Sequence, residues 1–195
     1  MLTFPDHVQG LIFDCDGTLV DTMPLHKHLW NELLAEHGVT VPDGFIDSHT
    51  GKPTSTIVEI INGEQGTQID PIEFREEKER RFLTQADNLQ PIAPVVATAK
   101  DYLGKLSMAV VSGGVRKNVE HSLRAIGALE WFPVVLTASD PLTAKPAPDL
   151  FLEAARLLGV EPGACHVFED GDSGIDGAKA AGMTYTDVRE LAAEA

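Results

Sequence analysis

Four short polar clusters in this chain of 195 residues stand where apolar runs stop or between prolines, and their residue types suit transfer of a phosphoryl group. The apolar run 9–13 stops at Asp14-Cys15-Asp16-Gly17, the run 107–111 at Ser112-Gly113-Gly114, and the run 165–168 at Glu169-Asp170, while Lys145 sits in Ala144-Lys145-Pro146-Ala147-Pro148. A phosphate monoester is doubly negative, so a carboxylate attacks it only where cations offset the charge of both partners. Asp14 is the candidate nucleophile, attacking phosphorus in line to give an aspartyl phosphate and dividing one hydrolysis into two displacements. Asp16 is the candidate acid and base: it protonates the departing alkoxide, then takes a proton from the water that attacks the intermediate. The Ser112 hydroxyl and the N–H groups after it, with Gly113 and Gly114 allowing close approach, are placed to hold the non-bridging oxygens. Lys145 adds fixed positive charge, and Asp170, supported by Glu169, completes a shell for Mg²⁺, an ion that prefers oxygen ligands and bridges carboxylate and phosphate.

Such chemistry needs the clusters at one edge of one sheet. Residues 9–13, 107–111, 134–137 and 165–169 read as buried strands, with a last short strand at 183–188. Helical patterns at 94–104, 115–126, 148–159 and 173–181 alternate with them. Strand and helix taking turns with short connections predict a doubly wound parallel-sheet α/β core, which binds its ligand beyond the carboxyl ends of the strands. The segment after the first strand is different. Leu25, Leu29, Leu33 and Leu34 recur at helical spacing before Gly38, and further helices are expected at 54–62, opened by a Thr/Ser cluster, and at 71–87, opened by Asp70 and Pro71. No strand is expected between Val20 and Gln90. Residues 1–20 and 91–195 are therefore assigned to the core and 21–90 to an inserted helical cap.

Composition narrows the partners. With 15 Lys+Arg against 30 Asp+Glu the formal charge is −15, and no basic run interrupts it, so neither nucleic acid nor an anionic membrane is expected as a partner. The 43% apolar content is ample for a packed core, and no run approaches the roughly 20 apolar residues of a membrane span. Pro5 and Asp6 precede any apolar run, unlike a secretory leader, so cytoplasmic residence is expected, with a small phosphate ester as partner and a monomer as the working unit. The acidic balance is compatible with an anionic substrate, because charges beyond about 8 Å are screened at physiological salt and Mg²⁺ with Lys145 reverses the sign locally.

Taken together, DCDGTLVDT, the Ser112 strand end, AKPAPDLF and VFEDGDSGIDGAKAAGM resemble the four motifs of the haloacid dehalogenase superfamily of Mg²⁺-dependent phosphatases. The chain looks like its β-phosphoglucomutase-like branch, and most like the fructose-1-phosphate and 6-phosphogluconate phosphatases there. The resemblance implies nucleophile Asp14, acid/base Asp16, phosphate contacts from Ser112 and Lys145, and Mg²⁺ ligation by Asp14, Asp170 and the backbone carbonyl of Asp16. It also implies a cap inserted after the first motif, with His26 and Trp30 on the substrate side. Dehalogenases of the branch lack an Asp at the position of Asp16, which favours phosphate esters here. β-Phosphoglucomutases carry a cap arginine after a glycine; this chain reads Gly51-Lys52-Pro53-Thr54, which favours hydrolysis over mutase chemistry and leaves Lys52 to grip an anionic group. A non-catalytic phospho-acceptor resembling receiver domains is a further alternative, opposed by the cap and by Asp16.

Simpler readings compete for single residues. Asp16-Gly17 suits a hairpin turn, but LVDTMPLHKH is not an alternating return strand. Gly171-Asp172-Ser173-Gly174 mimics a serine-protease segment, yet Ser173 is expected to cap a helix. His26 and His28, two apart on a helix, point in different directions and make no zinc pair. The mixed charges from Arg75 to Arg81 predict a solvated helix face. Cys15 follows one strand's end and Cys165 begins another, at opposite ends of parallel strands, so no disulfide is expected.

Overall fold

The computed structural model describes residues 2–49 and 52–192, and the chain divides into two compact units, Met1–Thr22 with Leu89–Ala195, and Met23–Asn88. Gly51, singled out above, lies outside the described residues.

The first unit is built on a five-stranded parallel sheet in the order β5-β4-β1-β6-β7. Its strands are β1 (Gly10–Phe13), β4 (Ser107–Val111), β5 (Val134–Leu136), β6 (Cys165–Glu169) and β7 (Thr184–Asp187). β1 is central, with Gly10 level with Ser107 on one side and Cys165 on the other. Because side chains alternate across a strand, Leu11 and Phe13 face one core with Val110, Phe168, Val119 and Leu123, while Ile12 faces another with Ala109, Val167, Phe151 and Ala178. Helices α5 (Ala93–Tyr102) and α6 (Arg116–Ala125) cover the first face, and α7 (Asp149–Leu158) and α8 (Asp172–Ala180) the second. Each fully buried Phe or Leu in these layers contributes about 1.5–3 kcal/mol. The architecture is the expected doubly wound α/β core. Both cysteines are buried and free.

The second unit is helical: α1 (Met23–Glu36), the single turn α2 (Phe45–Ser48), α3 (Thr54–Gln65) and α4 (Pro71–Gln85). It has a core of its own, made by Trp30, Leu33, Leu34, Val58, Ile61 and Phe74 among others. Asp70 caps α4 as its sequence predicts, accepting the N–H groups of Ile72 at 2.8 Å and Glu73 at 3.0 Å, with Pro71 in the first turn.

Several local expectations need correction. A two-residue pair, β2 (Val20–Asp21) against β3 (Gln90–Pro91), closes antiparallel where no strand is expected; two residues carry no periodicity to read. The Thr/Ser cluster does not cap α3: Pro53 holds that position without a side-chain bond. Ser173 is not a cap either, since α8 begins at Asp172 with Gly171 in the cap position, which puts Ser173 inside the first turn. Nor is the charged run on α4 all solvated. Phe74, Lys78 and Phe82 form an i, i+4 stripe, so Lys78 is buried at 8% exposure. Arg81 turns inward too, reaching Glu32 Oε1 at 2.9 Å and Glu36 Oε1 at 2.7 Å on α1. Among the described residues no helix is long and apolar enough to cross a membrane.

The edge strand β7 is fastened to β6 by His166, whose ring nitrogens lie 2.8 Å from Thr184 Oγ1 and 2.9 Å from Thr186 Oγ1. Burial lowers its pKa from the usual 6.5 to about 4. The unfolded chain therefore takes up this proton first, and the contribution of neutral His166 is complete above pH 6.5 and is lost as the pH falls towards 4. Urea unfolding at pH 7 and pH 4.5 is expected to show the stability difference between wild type and His166→Gln shrinking by roughly 2 kcal/mol on acidification; an unchanged difference contradicts this account.

Candidate active site

The carboxyl ends of β1, β4 and β6 assemble the site within the first unit. Asp14 continues β1, and its N–H donates to the Phe168 carbonyl at 2.9 Å, which ties the first acidic turn to β6. Lys145, from the loop before α7, donates to Asp14 Oδ1 and to Glu169 Oε2, each at 2.7 Å. All three side chains are nearly sealed from solvent, at 7% exposure for Lys145, 8% for Asp14 and 5% for Glu169. Asp170 follows on β6's end and accepts the Thr18 hydroxyl at 2.9 Å.

This cluster carries more negative than positive charge. Burial first, and then Glu169, hold the Asp14 carboxyl well above its usual range, against the pull of Lys145. The same two causes raise Asp170 to about 6. Burial acts against the Lys145 ammonium, but Asp14 and Glu169 outweigh it and hold its pKa above the ordinary value. The imbalance marks a place for a cation. Asp14, Glu169 and Asp170 each offer a carboxylate oxygen, all within 4.8 Å of one another, and an oxygen-only donor set fits a hard divalent ion such as Mg²⁺. Glu169 Oε1 and Oε2 are already engaged by the Gly171 N–H and by Lys145, which places it as a support behind the other two.

Asp16 Oδ1 accepts the Thr22 hydroxyl at 2.9 Å. Ser112 is 1% exposed and accepts the Gly114 N–H on its hydroxyl oxygen at 3.0 Å. The two glycines that follow differ. A methyl group at Gly114 would lie 3.2 Å from Asp16 Oδ2 and 3.3 Å from Ser112 Oγ, whereas at Gly113 it would meet nothing within 4 Å. Gly114 is thus closely surrounded, whereas Gly113 presents its backbone to open space. Gly17 is more constrained still, at φ +83° and with Asp170 filling the space a side chain would need. At the far end of the turn, Val188 N–H donates to the Glu169 carbonyl at 2.8 Å, and Arg189 bridges Asp187 at 2.6 Å and Asp172 at 2.7 Å, steadying the acidic loop.

The structure therefore brings Asp14, Asp16, Ser112, Lys145, Glu169 and Asp170 to one sheet edge. His26, Trp30 and Lys52 belong to the helical unit, where Lys52 is exposed. His26 stacks on Phe82 with ring centroids 4.8 Å apart, and its Nδ1 is 3.2 Å from Lys78 Nζ, which also lies 5.6 Å over the Trp30 ring. Thr18, Thr22 and Lys78 escape a reading of the sequence. The threonines were signalled only as hydroxyls near an acidic turn, and Lys78 by its place between two phenylalanines at helical spacing.

A parallel sheet with a buried carboxylate at the end of its central strand, and a lysine and an acidic pair from the following strand connections, defines a hydrolase of the haloacid dehalogenase kind. A sequence model described as "Haloacid dehalogenase-like hydrolase" matches residues 11–188, and the chain belongs to that family. It is 38% identical over 183 residues to the fructose-1-phosphate phosphatase YqaB of Escherichia coli (strain K12), covering 93% of this chain and 97% of that one. It is 26% identical over 182 residues to the 6-phosphogluconate phosphatase of the same organism, covering 90% and 80%. The fold is shared with β-phosphoglucomutase of Clostridium difficile at a TM-score of 0.77, with 23% identity over 91% of this chain and 83% of that one.

The unequal glycines can be tested by unfolding. Gly17→Ala combines left-handed strain with a methyl group driven into Asp170, and is expected to destabilise by roughly 2–4 kcal/mol. Gly113→Ala is expected to stay within about 0.5 kcal/mol of wild type. Urea midpoints that rank the two variants the other way contradict the assignment.

Proposed function

We propose that the protein is an Mg²⁺-dependent phosphatase of small sugar phosphates, of the fructose 1-phosphate or 6-phosphogluconate type, working through an aspartyl phosphate on Asp14. The observation that carries this is the buried Asp14–Lys145–Glu169 cluster beside Asp170, with Asp16 two residues from the nucleophile. The names of the two curated relatives support the substrate class.

In this reading Lys145 orients the Asp14 carboxylate through Oδ1. A carboxylate oxygen of Asp14 bonds to phosphorus as the bond from phosphorus to the sugar oxygen breaks, and Asp16 gives its proton to that oxygen. Water then attacks the phosphoryl group, Asp16 takes its proton, and phosphate leaves with Asp14 restored. Thr22 holds Asp16 in place for both transfers. Ser112, the Gly113 N–H and Lys145 receive the non-bridging oxygens. Asp14, Asp170 and the Asp16 carbonyl would hold Mg²⁺, with Glu169 behind them; when bound, the ion supplies the positive charge that lets carboxylate and phosphate approach. The helical unit 23–88 acts as the cap, with His26 and Lys52 contributing to substrate choice and the β2–β3 pair joining the two chain crossings. Two free buried thiols and a charge of −15 suit a cytoplasmic monomer acting on a small molecule.

Phosphate release from a panel of sugar phosphates is expected with Mg²⁺, to be negligible in EDTA, and to fall by about 10⁴-fold or more in Asp14→Asn. Turnover that survives that substitution sinks the proposal. Accumulation of glucose 6-phosphate from β-glucose 1-phosphate with a bisphosphate primer, and little free phosphate, would assign a mutase instead.

A further inference from the structure

The loop that carries Ser112 is braced by an ion pair outside the cluster of strand-end acids. Arg116, the first residue of α6, directs Nη2 to both oxygens of Asp140, at 3.0 and 2.8 Å, and to the Val135 carbonyl at 3.0 Å. Asp140 also accepts the Thr137 N–H at 2.8 Å and the Thr137 hydroxyl at 3.1 Å. The Arg116 N–H donates to Ser139 Oγ at 3.1 Å. The segment so folded reaches back: the Ala138 N–H donates to the Gly114 carbonyl at 3.0 Å, and the Ser112 N–H donates to the Leu136 carbonyl at 2.9 Å. Residues 112–116 and 136–140 are thereby cross-linked into one rigid corner at the ends of β4 and β5.

Gly114 is where this corner meets the chemistry. Its backbone lies beside Val119, Asp16 and the Ser112 hydroxyl, and an added methyl group would lie 3.1, 3.2 and 3.3 Å from them. Moving the Gly114 backbone towards Asp16 and Ser112 narrows the space beside both groups. The ion pair itself is partly exposed, at 40% for Arg116 and 21% for Asp140, and pairs so placed add little to stability. What it fixes is geometry.

We infer that Arg116 and Asp140 are positioning residues: by holding the 137–140 segment on the Gly114 carbonyl they set Asp16 for proton delivery to the leaving alkoxide. The inference rests on the proposed role of Asp16 as acid and base.

A leaving group that needs no proton separates this role from general support of the fold. The ratio of kcat/KM for fructose 1-phosphate to kcat/KM for 4-nitrophenyl phosphate, which reports the step in which the leaving group departs and not the shared hydrolysis of the aspartyl phosphate, is measured in wild type, Asp140→Ala, Arg116→Ala and Asp16→Ala. Arg116→Ala keeps the bonds from Thr137 to Asp140, so it remains informative where Asp140→Ala folds poorly. The ratio is expected to fall about tenfold or more in both brace variants and further in Asp16→Ala, with Arg116→Lys recovering part of the loss. A ratio that falls in Asp16→Ala and stays at the wild-type value in Arg116→Ala overturns the positioning inference. An unchanged ratio in Asp16→Ala overturns the acid/base reading beneath it.

Discussion

One buried ammonium organises this protein's chemistry. Lys145 stands between Asp14 and Glu169 at 2.7 Å from each, with all three side chains nearly closed to water. Removing charges from water is costly unless they are paired in good geometry, and here one lysine serves two carboxylates while Asp170 adds a third negative group. The arrangement is neutralised only in part, which is why burial and mutual repulsion raise the Asp14 and Asp170 carboxyls. A core designed for stability alone would not gather these groups. Their concentration suits a site whose remaining positive charge is supplied by an ion and whose excess negative charge tolerates a phosphate only then.

The sheet makes this concentration possible. β1 lies between β4 and β6 in parallel register, so residues distant in sequence leave the sheet at the same edge: Asp14 from β1, Ser112 from β4, Glu169 and Asp170 from β6. Both faces of the sheet are covered by helices, so polar groups that are to meet a ligand gather at the strand ends. The turns at that edge are packed to the limit. Asp170 occupies the space beside Gly17, Glu169 the space beside Gly174, and Asp16 with Ser112 the space beside Gly114. A side chain is excluded at Gly17 and Gly174 and would be tight at Gly114, so the backbone and the strand-end side chains share one close-packed layer.

Much of this was legible along the chain. An apolar run that ends in carboxylates, or in Ser112 and two glycines, announces both a buried strand and a polar strand end, and such signals are local. The strand–helix alternation after residue 91 follows from the same patterning. Misreadings arose where residue type alone was not enough. Ser173 has the right type for a helix cap, but α8 already begins at Asp172, which puts Ser173 inside the first turn. Lys78 lies in a run of mixed charge, which usually means solvent, yet its spacing from Phe74 and Phe82 puts it on the inner stripe of α4. Gly113 and Gly114 are indistinguishable in sequence, and only the neighbours of each separate them.

The sequence by itself determined the order of strands and helices, the acids, serine and lysine that meet at the sheet edge, and the family those motifs define. It did so because apolar periodicity and residue type are written along the chain. Tertiary structure alone decided that Lys145 bridges Asp14 and Glu169, that Thr18 and Thr22 hold Asp170 and Asp16, and that Arg116 reaches Asp140 across the ends of β4 and β5. Those contacts depend on distances between segments far apart in sequence, and such distances exist only once the sheet has set its register and the helices have closed over both faces.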